Sequence, residues 1–327
     1  MRVMQAMRFG GPEVIVEGEA PDPVPGPGQA VIRTAVADVL FLDTQIRRGL
    51  MGEAFHVVPP YVPGSGVGGE VVRVGEGVEA AWVGRRVIAG TAVPVTGGYA
   101  ELAVAEAAAL RQVPAALSVE EGTALLHDGS TALALIRGTE VGPGRTVLVL
   151  NAAGGLGLLL VQMAHAAGAR VVGAAGGGRK LDLVRDQGAD DAVDYTEPVW
   201  PGRAVELAGR RFDIVLDGAG GEFGCAALEV TADGGRFSAH GAAAGDFSVP
   251  DHGELERRGI ELTGIELVQF SPEQAARLGA EALEEAAAGR IRPLIGQTLP
   301  LARAAEAHAA LESRRVVGKT LLTIDGA

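Results

Sequence analysis

The sequence predicts an α/β protein in which a β-rich region precedes a doubly wound parallel sheet, and three observations carry that prediction. Residues 1–120 hold short apolar runs punctuated by Pro and Gly. After about residue 120, strand-like runs alternate with helical ones. The 49 glycines among 327 residues, roughly twice the average share, gather at the corners between these runs.

Taken in order, Ala30–Val36, Glu70–Val74 and Arg86–Ala89 are the clearest strands of the first region. The stretch Pro21–Gly28 is a rigid, turn-rich connection rather than a polyproline ligand. Beyond it, Val147–Leu150, Arg170–Ala174, Ala192–Asp194, Phe212–Leu216, Gly235–Ser238 and Ile260–Thr263 read as about six short strands. Leu158–Ala167, Arg179–Gln187 and Gly224–Thr231 read as helices between them. Such alternation implies a parallel sheet covered on both faces. Pro272–Ala288 and Ala302–Glu312 are Ala-rich helices, and Lys319–Ile324 is a closing strand. No internal repeat is visible.

Composition narrows the function classes. With 47% hydrophobic and 21% charged residues the chain is globular rather than disordered. No apolar run reaches the ~18 residues of a membrane span, and the first residues lack a signal-peptide core. The expectation is therefore a cytoplasmic enzyme. The net charge of −13 argues against nucleic acid as the main partner. The single cysteine, Cys225, excludes an internal disulfide and any zinc site of several thiolates. Cys225 lies in a helical stretch and is expected to be a buried small hydrophobe.

The sharpest motif is Asn151-Ala-Ala-Gly-Gly-Leu-Gly157, between the strand Val147–Leu150 and an apolar helix. Its spacing, Ala152-x-Gly154-x-x-Gly157, is the dinucleotide fingerprint with Ala first. Ala152 permits a tight turn, Gly154 lets backbone approach a pyrophosphate, and Gly157 lets helix pack on strand. The N–H groups opening the helix then face the anion. A site preferring NAD places an acid about 20 residues further on. Here Val172 is followed by glycines and alanines and then by Arg179 and Lys180. Cations attract a 2′-phosphate, so the motif favours NADPH.

With this turn, Pro63-Gly-Ser-Gly-Val-Gly-Gly-Glu70 and Val317-Gly-Lys-Thr-Leu-Leu322 in hand, the chain resembles the medium-chain dehydrogenase/reductase superfamily. Within it the chain is most similar to the zinc-independent, zeta-crystallin-like quinone oxidoreductase branch. The resemblance covers nearly the whole length. It implies a GroES-like catalytic domain over 1–121, a Rossmann cofactor domain over 122–268, and a segment over 269–327 that returns to the catalytic domain, with the active site in the cleft between. It also implies that Lys180 and Tyr195 hold the 2′-phosphate and adenine end, that Arg314 is a further cofactor contact, and that Thr131 lies near the nicotinamide. Further cofactor contacts implied are Asp43, Thr44, Gly155, Leu156 and Gly176. Gly218, His240, Gly241, Ile265 and Glu266 complete them.

In zinc-dependent relatives the ligand positions match Leu40, Ser65-Gly66 and His127, of which only the last could ligate, so no metal is expected. Without zinc, a conjugated acceptor is the easier substrate, because hydride addition leaves a delocalised anion. Relatives line the pocket with an asparagine and two tyrosines. The matching Leu40, Gln45 and Ala134 imply a wider, more apolar pocket for a hydrophobic enone or a polycyclic quinone. His127 and His240 are the candidate proton donors, with Asp128, Asp217 and Glu266 weaker. An aspartate after a strand, as Asp217 is, more often stabilises its loop. The expected function is NADPH-dependent reduction of quinones or α,β-unsaturated carbonyls. Enoyl-thioester reduction, or a non-catalytic NADPH-binding structural or RNA-binding role of crystallin type, are the alternatives. A homodimer through the apolar edge at Ile260–Ile265 is expected.

Overall fold

The computed structural model describes residues 1–248 and 251–324. The chain divides into two compact units, Met1–His127 with Pro272–Ala327, and Asp128–Ser271.

The first unit carries β1 (Arg2–Ala6), β2 (Ile15–Glu19), β3 (Gln29–Val39), α1 (Phe41–Arg47), α2 (Gly52–Phe55), β4 (Gly66–Val74), β5 (Arg86–Gly90), β6 (Leu102–Glu106), β7 (Arg111–Gln112) and α3 (Val119–Leu125). The eleven-residue β3 is its hub, because it is long enough to pair antiparallel with β4 and β6. Ala30, Val31, Ile32, Val36, Ala37 and Val39 bury their side chains from it. Ile32, Val67, Val71, Val87 and Tyr99 share one core. A capping box starts α3: the Ser118 Oγ accepts from the Glu121 N–H at 3.1 Å, and the Glu121 carboxylate accepts from the Ser118 N–H at 2.9 Å.

The second unit carries α4 (Asp128–Gly138), β8 (Thr146–Leu150), α5 (Gly155–Ala166), β9 (Arg170–Ala175), α6 (Gly178–Asp186), β10 (Asp191–Asp194), α7 (Trp200–Ala208), β11 (Phe212–Asp217), α8 (Gly221–Glu229), β12 (Thr231–Ala239), α9 (His252–Arg258) and β13 (Glu261–Thr263). Its six strands run in the order β10-β9-β8-β11-β12-β13, all parallel. Every residue of β8 is buried, as a strand covered on both faces requires. The first unit then resumes with α10 (Pro272–Ala287), β14 (Ile295–Pro300), α11 (Ala304–Glu312) and β15 (Lys319–Thr323). There β15 pairs antiparallel with β3 and parallel with β14. No helix among the described residues is long and apolar enough to cross a membrane.

Two expectations need correction. The stretch expected to be helical to Thr231 ends its helix at Glu229, and Thr231 instead opens β12, where it pairs with Phe212 of β11. Cys225 is exposed, not buried. On α8 the inward positions are Gly224, Ala227 and Leu228, and the 3.6-residue period turns Cys225 outward.

Candidate active site

In a parallel sheet every strand ends on the same edge, so sequence-distant loops meet there. Ala152–Gly157 follow β8, Gly176–Lys180 follow β9, Tyr195 follows β10, Gly218 follows β11, His240–Gly241 follow β12, and Ile265–Glu266 follow β13. Ala152 is fully buried beneath the turn. A Cβ on Gly157 would stand 2.3 Å from the Asn151 carbonyl oxygen and 2.8 Å from the Ala152 Cα, so only glycine lets α5 approach β8. Gly154 begins α5 without any side-chain cap, which leaves the first N–H groups of a twelve-residue helix turned to an anion. This cradle fits a dinucleotide pyrophosphate.

At the neighbouring loop Arg179 is exposed and Lys180 half-buried, both in the first turn of α6. Tyr195 stacks on Phe223 of α8, with ring centroids 4.5 Å apart, which makes a flat aromatic wall beside that loop. Sequence reading missed an acid here. Asp194 ends β10 next to β9, and its Oδ2 accepts from the Gly177 N–H at 2.8 Å. Its Oδ1 accepts from the Thr196 N–H at 3.0 Å and from the Thr196 hydroxyl at 2.7 Å. These bonds hold the carboxyl below its ordinary range despite partial burial. The carboxylate is thus spent on shaping the loop. Asp217 acts likewise, accepting from the N–H groups of Ala219 (3.0 Å) and Gly220 (2.8 Å) and from the Ser248 hydroxyl (2.9 Å).

The two candidate proton donors are not equivalent. His240 is buried, and burial pushes its imidazole down to about 4. With its imidazole so lowered it is a neutral hydrogen-bonding group, and its Nε2 has no protein partner among the described residues. Thr131 and Ala134 are half-buried on α4 of the same unit.

The remaining candidates belong to the first unit. Leu40 precedes α1, and its N–H donates to Oδ2 of Asp43 at 2.9 Å. The Tyr99 hydroxyl donates to the same oxygen at 3.0 Å, and its own oxygen lies 3.0 Å from His308 Nε2. Asp43, Tyr99 and His308 are all buried. Burial pushes the Asp43 carboxyl up to about 7, helped by Asp38 and opposed by the bonds from Leu40 and Tyr99. Thr44 and Gln45 are also buried; the Thr44 hydroxyl donates to the Phe41 carbonyl at 2.7 Å, and the Gln45 amide donates to Thr44 at 3.1 Å. Arg47 pairs with Glu312, tying α1 to α11. Arg314 is exposed just past α11, with φ of 53°.

His127 ends the first unit with a partner that sequence reading did not supply. Its Nδ1–H donates to Oδ2 of Asp38 at 2.8 Å. Oδ1 of the same carboxylate is paired with Lys319 Nζ at 3.0 Å. Burial pushes the Asp38 carboxyl up, but Lys319 and His127 outweigh it and hold it below its ordinary range. The imidazole packs against Gly66, where a Cβ would come within 2.7 Å of its Cε1. Among the described residues no group of three or more His, Cys, Asp or Glu side chains could hold a metal ion.

A parallel-sheet unit with an uncapped glycine turn, in a chain whose other unit is a largely antiparallel β assembly closed by carboxyl-terminal strands, defines the medium-chain dehydrogenase/reductase class. Comparison with known proteins agrees. Residues 26–115 match the alcohol dehydrogenase GroES-like domain family, and residues 187–322 match the zinc-binding dehydrogenase family. A quinone oxidoreductase of Pseudomonas aeruginosa is 32% identical over 326 residues, 98% of either chain. One from Sus scrofa is 30% identical over 99% of this chain and 98% of its own. The structure of the Escherichia coli quinone oxidoreductase complexed with NADPH superimposes with a TM-score of 0.90 at 28% identity, covering 99% of this chain and 100% of that one. A mycobacterial protein complexed with NADPH gives 0.90 at 34%, with the same coverage. The chain belongs to the quinone oxidoreductase family of this superfamily, and is an oxidoreductase.

Proposed function

We propose that the chain is an NADPH-dependent reductase of quinones and α,β-unsaturated carbonyls that works without zinc, on small hydrophobic substrates in the cytoplasm. The observation that carries this reading is the row of loops at one edge of the parallel sheet. There the uncapped start of α5 would meet the pyrophosphate and the cations of α6 a 2′-phosphate. Ala152, Gly154, Gly155, Leu156 and Gly157 would hold the pyrophosphate, and Gly176, Arg179, Lys180 and Tyr195 the adenine end. Bound NADPH would supply the hydride. The zinc-free reading is supported by Leu40, Ser65 and Gly66 at positions that hold ligands in zinc-dependent relatives, and by the engagement of His127 with Asp38.

Following nicotinamide absorbance with quinones, enones and enoyl thioesters tests the activity. With NADPH deuterated at C4, label should appear at the β-carbon of a reduced enone. Label at the carbonyl carbon would overturn conjugate reduction, and one tightly held zinc per chain, lost together with activity in chelator, would overturn the zinc-free reading.

The cofactor preference has its own test. Lys180→Glu should weaken NADPH by about 1.5–3 kcal/mol, the worth of hydrogen bonding to a charged group, and leave NADH within a few-fold. Equal affinity of the wild-type protein for both cofactors would contradict it. Assembly is proposed to be a homodimer through β13, the edge strand beyond β12, since a two-fold pairing removes an open edge. Light scattering should report the mass of two chains at micromolar concentration, and a monomer there removes this assignment.

A further inference from the structure

We propose that Asp194 is the positioning residue that sets the preference for a 2′-phosphate at the adenine end of the cofactor site, by clasping the loop that starts α6 and by spending its own carboxylate there. The proposal rests on the NADPH reading above and lies wholly within the second unit. Asp194, the last residue of β10, pairs in register with Ala175, the last residue of β9. The Tyr195 N–H donates to the Ala175 carbonyl at 3.2 Å, so the two chains leave the sheet side by side. This brings the Asp194 Oδ2 to the Gly177 N–H, from which it accepts at 2.8 Å. Gly177 has φ of 89°, in the left-handed region that favours glycine. Its carbonyl accepts from the Lys180 N–H at 2.9 Å, a bond that opens α6. The carboxylate thus fixes the residue from which α6 sets out, and the first turn of α6 carries Arg179 and Lys180.

The other oxygen fixes the facing loop. Oδ1 accepts from the Thr196 N–H at 3.0 Å and from the Thr196 hydroxyl at 2.7 Å. Residues 195 and 196 are thereby folded against Gly176, where a Cβ would stand 3.2 Å from Thr196 Cγ2 and 3.6 Å from Tyr195 Cε2. One side chain joins the cation-bearing turn, the glycine beside it and the aromatic wall of Tyr195 and Phe223. An acid that reads ribose hydroxyls must have lone pairs to offer them. An ionised carboxylate has about four, and protein donors take three of these. Partial burial pushes the Asp194 carboxyl up, but the bonds from Thr196 and Gly177 outweigh it, so it keeps the charge that makes those bonds strong. A negative charge beside a phosphate would by itself oppose binding. The two effects of this carboxylate therefore have opposite signs, and substitution separates them. Removing a mere repelling charge tightens a 2′-phosphate, whereas removing the clasp loosens it.

Calorimetric titration of the full chain with 2′,5′-ADP and with 5′-AMP probes the adenine end alone and needs no turnover. The wild-type protein should prefer 2′,5′-ADP. In Asp194→Asn an amide group replaces one of the two accepting oxygens, and the ratio of the two affinities should fall at least about tenfold, the scale of a lost hydrogen bond to a charged group. Affinity for 5′-AMP should stay within a few-fold. Thr196→Val removes only the hydroxyl and should narrow the ratio in the same direction, whereas Thr196→Ser keeps both Oδ1 bonds and the wild-type ratio. In the free protein, hydrogen exchange at the Gly177 amide should quicken in Asp194→Asn, and an unchanged rate overturns the clasp. Should Asp194→Asn fail to fold, the two Thr196 variants carry the test. A wild-type protein with equal affinity for the two probes overturns the NADPH reading and the proposal with it. A wild-type protein that prefers 2′,5′-ADP, but in which Asp194→Asn or Thr196→Val keeps or raises that preference, overturns the proposal alone. So does a Thr196→Ser variant that narrows the ratio as far as Thr196→Val.

Discussion

Gly157→Ala should abolish useful nucleotide binding. The added methyl would stand 2.3 Å from a backbone oxygen and within 3 Å of the Ala152 Cα and carbonyl carbon, and none of these can swing aside as a side chain would. Either α5 lifts from β8 or the turn opens, and both misaim the N–H groups that face the pyrophosphate. Overpacking typically costs about 1–3 kcal/mol, and a clash with backbone lies at or above the top of that range. NADPH titration by fluorescence should show a loss of at least about a hundredfold, with a lowered Tm. Gly202→Ala is the matched control. Gly202 lies in α7 of the same unit with open space around its Cα, so the change should gain up to about 1 kcal/mol of helix propensity and leave binding alone. Gly157→Ala at wild-type affinity would remove the helix-on-strand argument.

The contrast between these glycines marks what was legible in the sequence. The β8–turn–α5 corner was readable because the signals are contiguous: a short apolar run, small residues at fixed spacing, then an apolar helix. That the other strand ends share one edge followed from the alternation of strand and helix, since parallel strands leave one edge for all their loops. What hydropathy could not convey was polar burial. Asp43, Thr44, Gln45 and Arg47 look like an exposed helical turn, yet all are buried in the first unit. Asp38 lies near the end of β3 and Lys319 opens β15, strand-end positions at which a charged residue draws no notice. Their pairing was hidden because Asp38 lies 89 positions from His127 and Lys319 comes from the returning carboxyl-terminal segment. Asp194 was hidden for the same reason, since an acid at the end of β10 reaches the β9 loop only once the strands are side by side. Cys225 was misread because residue type was weighed above helical phase.

Asp43→Asn should flatten part of the pH dependence of stability. Burial raises the Asp43 carboxyl from 3.8 in an unfolded chain to about 7 in the native one. Between about pH 4 and pH 7 the folded protein therefore keeps a proton that the unfolded chain has released. Stability then falls as pH rises through this window, because the native state binds the excess proton. Below the window both states are protonated, and above it both are ionised, so the slope from this group vanishes on either side. At about 1.4 kcal/mol per unit, the full effect is on the order of 4 kcal/mol. Asparagine keeps an acceptor for the Leu40 N–H and the Tyr99 hydroxyl but cannot ionise. Urea unfolding at intervals from pH 4 to pH 8 should give a difference between variant and wild type that grows in the variant's favour up to about pH 7 and then levels off. The same variant tests Asp43 as a cofactor contact. Its Oδ2 is committed to Leu40 and Tyr99, so a role that passes only through the buried network predicts unchanged NADPH affinity. A large loss of NADPH affinity with a flat pH difference would assign the carboxylate to the cofactor instead.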